Sequence, residues 1–217
     1  MATIPDETVE AFRSIATASV ADAVEQHGLR GFLAGSIRQV LPGRKLVGPA
    51  VTVQEVPSPE PAPPEHALQA IDESAPGSVV CIAAGGAEVA IWGGLMTAGA
   101  VANRIAGAVL DGGVRDVEEI RRDYPDFAVY ARGAVPATTV GRYRTVFLNE
   151  PVEIGGAAVS PGDLIVADSD GVVCVPAHLV DKVLEAAQDI ERREREQTAL
   201  ILESGSLRGG LEKYNRI

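Results

Sequence analysis

The stretch of this chain best equipped for chemistry is LDGGVRDVEEI, residues 110–120. An apolar run over 105–110 stops at Asp111, two glycines follow, and Val114 then leads to Arg115 beside Asp116. A guanidinium can hold a carboxylate through two charge-assisted hydrogen bonds. An adjacent carboxylate can hold a hard divalent cation that keeps several of its waters. The same residues also have a purely structural reading. Asp116 with Glu119 three positions on is a variant of the capping box at a helix start. Arg115 can pair at the surface with Glu118 or Glu119, at little energetic gain.

A second stretch, AIWGGLM at 90–96, lies about 20 residues earlier. Its glycines let backbone approach a ligand, and amides at a helix start attract anions, although Gly-Gly before a helix also makes an ordinary tight turn. Trp92, the only tryptophan, suits packing or a pocket wall. Asp163, Asp168 and Asp170 sit in Pro-Gly-Asp and Asp-Gly contexts and read as turn residues. The charge run at 191–205 reads first as a solvated helix face, with a glutamate reaching a neighbouring subunit as the alternative.

Composition narrows the classes. With 217 residues and 46% hydrophobic content the chain can build one sizeable core, and one domain over 1–217 is expected. A net charge of -11 disfavours direct binding to nucleic acid. No apolar window of membrane-spanning length and no basic-then-apolar leader is found, so a cytoplasmic protein is expected. Cys81 and Cys174 lie in apolar runs and read as buried free thiols. The three lysines (Lys45, Lys182, Lys213) read as exposed, and the three histidines (His27, His66, His178) have no metal-cluster spacing. Schiff-base chemistry and His-rich zinc sites are therefore disfavoured.

The elements that must position these residues follow from periodicity. A helix is predicted over 6–27 with Asp6 as N-cap, a strand over 46–56, a proline-rich loop over 57–65 and a short helix over 65–72. Buried strands are predicted over 78–84, 105–111 and 127–133, with helices running to Arg104 and over 116–123 between them. That alternation argues for an α/β core with parallel strands. Short strands broken by Gly-Gly, Pro-Gly and Asp-Gly turns follow and suit a small antiparallel or barrel-like section. A long amphipathic helix is predicted over 177–204.

TASVADAV near the start, WGGLMTAGAVANRIAGAVLDGGVRD in the middle and EIGGAAVSPGDLIVADSDGVVCVP before the charged helix occur in order over most of the chain. Together they resemble the family that contains the 4-hydroxy-4-methyl-2-oxoglutarate aldolases and the RraA-like regulators of ribonuclease activity. The resemblance implies a layered α/β domain assembled as a homotrimer or a dimer of trimers, with the 177–204 helix packing on a neighbouring subunit. The aldolase signature is Asp-x20-Arg-Asp with a trailing acid. Arg115 matches the arginine that binds the pyruvyl carboxylate, and Asp116 the aspartate that holds a divalent metal, Mg or Mn. Glu119 or Glu118 matches the trailing acid. Glu194, with Glu191 as the alternative, matches the glutamate given by an adjacent subunit. The first acid of the signature is replaced by Gly94, and Glu88 is the nearest acid upstream.

The implied chemistry is metal-dependent retro-aldol cleavage, or decarboxylation of a β-keto acid with oxaloacetate as the smallest substrate. Either reaction leaves pyruvate as its enolate, whose charge a Lewis-acidic cation can stabilise. Arg115 and the amides of Gly93, Gly94, Leu95 and Met96 would fix the substrate carboxylate. The competing expectation is a regulator without chemistry that binds a ribonuclease through its acidic surface. A serine hydrolase is disfavoured because no Gly-x-Ser-x-Gly elbow is present.

Overall fold

The computed structural model describes residues 4–214. The chain begins with α1 (Asp6–Arg13) and α2 (Thr17–Glu25), where one helix over 6–27 is predicted. The break is set from far along the chain. Ala16 N donates to Glu191 Oε1 at 2.7 Å and Thr17 N to Asp168 Oδ2 at 3.1 Å, so the N-cap and first amides of α2 are held by tertiary partners. Pro5, not Asp6, takes the N-cap position of α1.

The core follows as β1 (Arg38–Leu41), β2 (Leu46–Pro57), α3 (Glu65–Glu73), β3 (Val79–Trp92), α4 (Gly94–Ala102), β4 (Gly107–Val114), α5 (Val117–Asp123) and β5 (Ala128–Ala131). Next come β6 (Gly133–Ala134), β7 (Tyr143–Leu148), the hairpin β8 (Val152–Ile154) and β9 (Ala157–Val159), then β10 (Leu164–Asp168) and β11 (Gly171–Val175). A 3₁₀ turn over Ala177–Leu179 leads into α6 (Val180–Ser204), and α7 (Leu207–Tyr214) follows. Strands β1, β6 and β7 and helix α7 are not predicted by periodicity.

The main sheet runs β1-β5-β4-β3-β2-β10-β11. Strands β2, β3, β4 and β5 pair in parallel, while β1 and β10 join antiparallel. A bridge from Phe32 to Val173 brings the two edges toward each other, so the sheet nearly closes as a barrel. The fold is thus mixed α/β, with a mostly parallel sheet, a small antiparallel hairpin and a long C-terminal helix.

Two predicted strands continue further than expected, and both extensions carry the site. Strand β3 does not end at residue 84. Gly85 and Gly86 take positive φ of 61° and 79°, the strand bulges, and pairing resumes with Ala87 on Gly112, Ala90 on Gly113 and Trp92 on Val114. Strand β4 does not end at Asp111. That carboxylate is 4% exposed and is held by Arg132, whose Nε and Nη2 both lie 2.7 Å from Oδ1. Gly113 is needed here, because a Cβ would lie 2.7 Å from Val135 Cγ2.

Three apolar clusters cover the sheet. One lies under α3, α4 and α5, with Ile82, Leu110, Trp92 and Ile120 at its centre. A second lies on the opposite face with Ile37, Leu46, Tyr130 and Ile165. In the third, Val180, Val183, Ala187 and Ile190 of α6 pack on Phe12, Val20 and Val24. The apolar stripe of α6 from Val180 to Ile190 is therefore packed inside its own chain, while Leu202 further along is 80% exposed. Cys81 and Cys174 are buried and free, as expected. Lys45 is not exposed as expected. Its side chain is 20% accessible, its Nζ lies 3.6 Å from Asp168 Oδ2, and it donates to Ile15 O. Burial lowers its pKa. Among the described residues, no helix is long and apolar enough to cross a membrane.

Candidate active site

Strands β3 and β4 end side by side, and their last residues start the site. Arg115 N donates to Trp92 O at 3.0 Å, one step beyond the ladder. Trp92 is buried, stacks on Phe127 at 6.1 Å and donates from Nε1 to Thr97 Oγ1 at 2.8 Å. It thereby pins the first turn of α4 against the strand ends.

Asp116 sits at the N-cap of α5 in the left-handed region, with φ 59° and no side-chain bond to its own helix. The capping-box reading is therefore corrected. Asp116 Oδ2 instead accepts the N–H of Gly94 at 2.9 Å, so it caps α4 across the strand ends. Arg115 Nε lies 3.5 Å from the same oxygen. Gly93 makes this approach possible. A Cβ there would stand 2.8 Å from Asp116 Oδ2 and 3.1 Å from Arg115 Cγ.

The two possible trailing acids separate cleanly. Glu118 is turned into an ion pair with Arg121 at 2.6 Å. Glu119 Oε2 lies 3.7 Å from where a Cβ on Gly94 would be, and Asp116 Oδ2 lies 3.5 Å from that point. Both carboxylates thus flank the position of the signature's missing side chain.

The predicted Gly93, Gly94, Leu95, Met96, Arg115 and Asp116 line one cleft of about 200 Å³. Its walls were not predicted: Pro64 and Leu68 from the start of α3, and Thr138, Thr139 and Val140 from the loop before β7. Nothing local in those segments marks them. Leu95 and Met96 lie in the first turn of α4, where N–H groups have no intrahelical acceptor. On the other side of Arg115 and Asp116 a shallower hollow of about 360 Å³ is lined by Glu118, Glu119, Val135 and Pro136. Another, of about 380 Å³, lies at the opposite end of β3 near Ser78 and Asn149, away from this pair.

The other predicted acids lie elsewhere. Glu194 is on α6 in a groove with Glu191, Arg195 and Thr198, outside the cleft of its own chain. Glu191 is bonded to Ala16 N within the chain. Glu88 is exposed on β3 and does not line the cleft. Asp168 and Asp163 do make the expected turn bonds, to Asp170 N and Ser160 N.

The RraA-like family model, described as Aldolase/RraA, matches residues 17–174. The chain belongs to this RraA-like family. A relative in Halalkalibacterium halodurans, named "Putative 4-hydroxy-4-methyl-2-oxoglutarate aldolase", is 35% identical over 85% of this chain and 85% of its own length. Protein DlpA of Legionella pneumophila is 34% identical over 91% of this chain, which spans only 32% of DlpA. The RraA-like fold is shared with the crystal structure of Streptomyces coelicolor RraAS2, titled an unusual member of the RNase ES inhibitor RraA protein family. The TM-score is 0.83 at 28% identity, over 91% of this chain and 99% of that one.

Proposed function

We propose that the protein is a divalent-metal-dependent lyase that cleaves the carbon–carbon bond next to a 2-oxo acid and releases pyruvate. The reaction is aldol cleavage of a 4-hydroxy-2-oxo acid, with oxaloacetate decarboxylation as the simpler activity of the same site. The observation that carries this reading is the convergence of Arg115, Asp116 and the first turn of α4 on one cleft. The aldolase names of relatives support a lyase-type enzyme.

The donor set fits Mg or Mn. Asp116 Oδ2 is bonded to Gly94 N, which fixes the carboxylate and leaves Oδ1 without a protein donor among the described residues. Glu119 adds a second hard oxygen donor, and no histidine or cysteine lines the cleft. No group of three or more such ligands exists among the described residues, so water and substrate oxygens must complete the shell. A divalent cation held there supplies a Lewis acid for the 2-oxo and carboxylate oxygens.

The remaining work falls to the chain's own groups. Arg115 holds the pyruvyl carboxylate, and the N–H groups of Leu95 and Met96 face the same charge. Trp92 and Met96 exclude water from one side. Glu119 Oε2, which with Asp116 flanks the place left open by Gly94, takes the C4 hydroxyl proton through water, and a proton returns to C3 of the departing pyruvate. In a homotrimer or dimer of trimers, Glu194 of a second copy would complete the site. Glu191, the alternative, accepts the Ala16 N–H within its own chain, and Glu194 is engaged there as well.

A regulator that inhibits a ribonuclease by contact is the second reading, favoured by the likeness to RraAS2 and by glycine at 94. Thermal unfolding with and without Mn separates the two. The lyase reading expects a metal-induced rise in melting temperature that Asp116→Ala abolishes. A melting temperature blind to Mg and Mn favours the regulator.

A further inference from the structure

The cleft beside Arg115 is chemically lopsided. Among the described residues lining it, Arg115 is the one cation and Asp116 the one acid, and both belong to the pyruvyl end. The side chains around that end include Pro64, Leu68, Leu95, Met96 and Val140, with Thr138 and Thr139 as the polar members. Leu68, Leu95 and Val140 are 38%, 89% and 45% exposed, so three of the nine large exposed apolar side chains among the described residues gather at one mouth. Isolated surface leucines are ordinary, but a cluster rimming a polar pocket marks a contact surface.

Leu68 reaches this mouth because α3 buries Ala67, Ala70 and Ile71 against the sheet, leaving the next position over the cleft. Leu95 stands on the first turn of α4 and Val140 on the loop before β7. The apolar rim therefore comes from three separate elements around the anion end.

We infer that the cleft takes 4-hydroxy-2-oxo acids whose C4 substituent is uncharged and apolar, with Leu68, Val140 and Leu95 holding that substituent. The assignment rests on the lyase reading above. With the substrate's first carboxylate on Arg115, a second carboxylate at C4 would find no cation in this lining. It would lose water against Leu68 and Val140 while facing Asp116 and Glu119. A Glu194 arriving from a second copy adds another negative charge. An alkyl group there gains from the same surface. The reaction is R–CH(OH)–CH2–CO–COO⁻ to R–CHO and pyruvate. The C3–C4 bond breaks, the C4 hydroxyl loses its proton, and C3 gains one.

The test compares kcat/KM for pyruvate release, with Mg, from 4-hydroxy-2-oxohexanoate and from 4-hydroxy-2-oxoglutarate. The alkyl substrate is expected to be favoured about tenfold or more, and Leu68→Arg is expected to narrow or reverse the ratio by improving the dicarboxylate. A wild-type preference for the dicarboxylate, or a ratio unmoved by Leu68→Arg, overturns the inference. Exchange of pyruvate methyl protons in deuterated water, with Mg and with EDTA, is followed on the same protein. Metal-dependent exchange together with a dicarboxylate preference refutes the apolar subsite alone. No exchange and no cleavage of either acid refutes the lyase reading and the subsite with it.

Discussion

Asp116 closes the N-terminus of α4 rather than that of its own helix, with Oδ2 accepting the Gly94 N–H at 2.9 Å. That bond fixes one carboxylate oxygen and ties the end of β4 to the start of α4. It also brings Arg115, whose Nε lies 3.5 Å from the same oxygen, over the first turn of α4. Arg115, Asp116 and the first-turn amides of α4 are thereby set by one short connection.

Arg115→Ala removes charged hydrogen bonds worth roughly 1.5 to 3 kcal/mol each. The KM for a pyruvyl substrate should rise about ten- to a hundredfold, with melting temperature unchanged because Arg115 is exposed. An unchanged KM would show that the carboxylate binds elsewhere.

Gly93→Ala places a methyl 2.8 Å from Asp116 Oδ2. One of the two must move, and the Gly94 bond breaks with it. Pyruvate release should fall by at least an order of magnitude, and Mn should no longer raise the melting temperature. Wild-type kinetics in this variant would mean that the close approach is dispensable.

Gly94→Asp is the reverse case. Its Cβ meets Asp116 at 3.5 Å, an ordinary contact, and it adds a third carboxylate beside Asp116 and Glu119. The variant should fold and bind Mn several-fold more tightly in a calorimetric titration. Weaker Mn binding would argue against a cation between these acids.

Glu55 on β2 is 2% exposed, and neither carboxylate oxygen has a hydrogen-bond partner. Across the strand pair it faces Thr145, whose hydroxyl is already bonded to His66 N at 3.1 Å. Burial raises the Glu55 pKa from 4.5 to about 7. The folded state therefore binds the proton more tightly than the unfolded chain. This contribution to stability is fully present below about pH 4.5 and is lost as pH rises toward 7, amounting to about 3 kcal/mol. Glu55→Gln should unfold at a higher temperature than wild type at pH 8, with the advantage gone at pH 5. Equal melting temperatures at both pH values would refute this.

Arg132→Ala leaves the buried Asp111 carboxylate without its partner. Breaking such a pair costs about 3 to 5 kcal/mol, so urea unfolding should show a loss of that order. A loss below about 1 kcal/mol would place Asp111 in contact with water.

Much of the candidate site was legible because it is local. Arg115, Asp116 and residues 93–96 sit at the ends of adjacent elements whose types the sequence pattern predicts. The misses come from long-range partners. The break between α1 and α2 depends on Glu191 and Asp168, more than 150 residues away. Lys45 reads as a surface residue until Asp168 is placed beside it. Asp111 looks like a strand end because Arg132 is not visible from its neighbours. Leu68 and Val140 carry no chemical signal at all, and only the packing of α3 and the loop before β7 brings them to the cleft.

The first assay is pyruvate release from oxaloacetate, with Mg or Mn and then with EDTA, after subtracting the metal-only background. A metal-dependent lyase gives a rate well above background that EDTA removes and that Asp116→Ala and Arg115→Ala each suppress. A rate no greater than background, or one indifferent to both substitutions, would contradict the lyase reading.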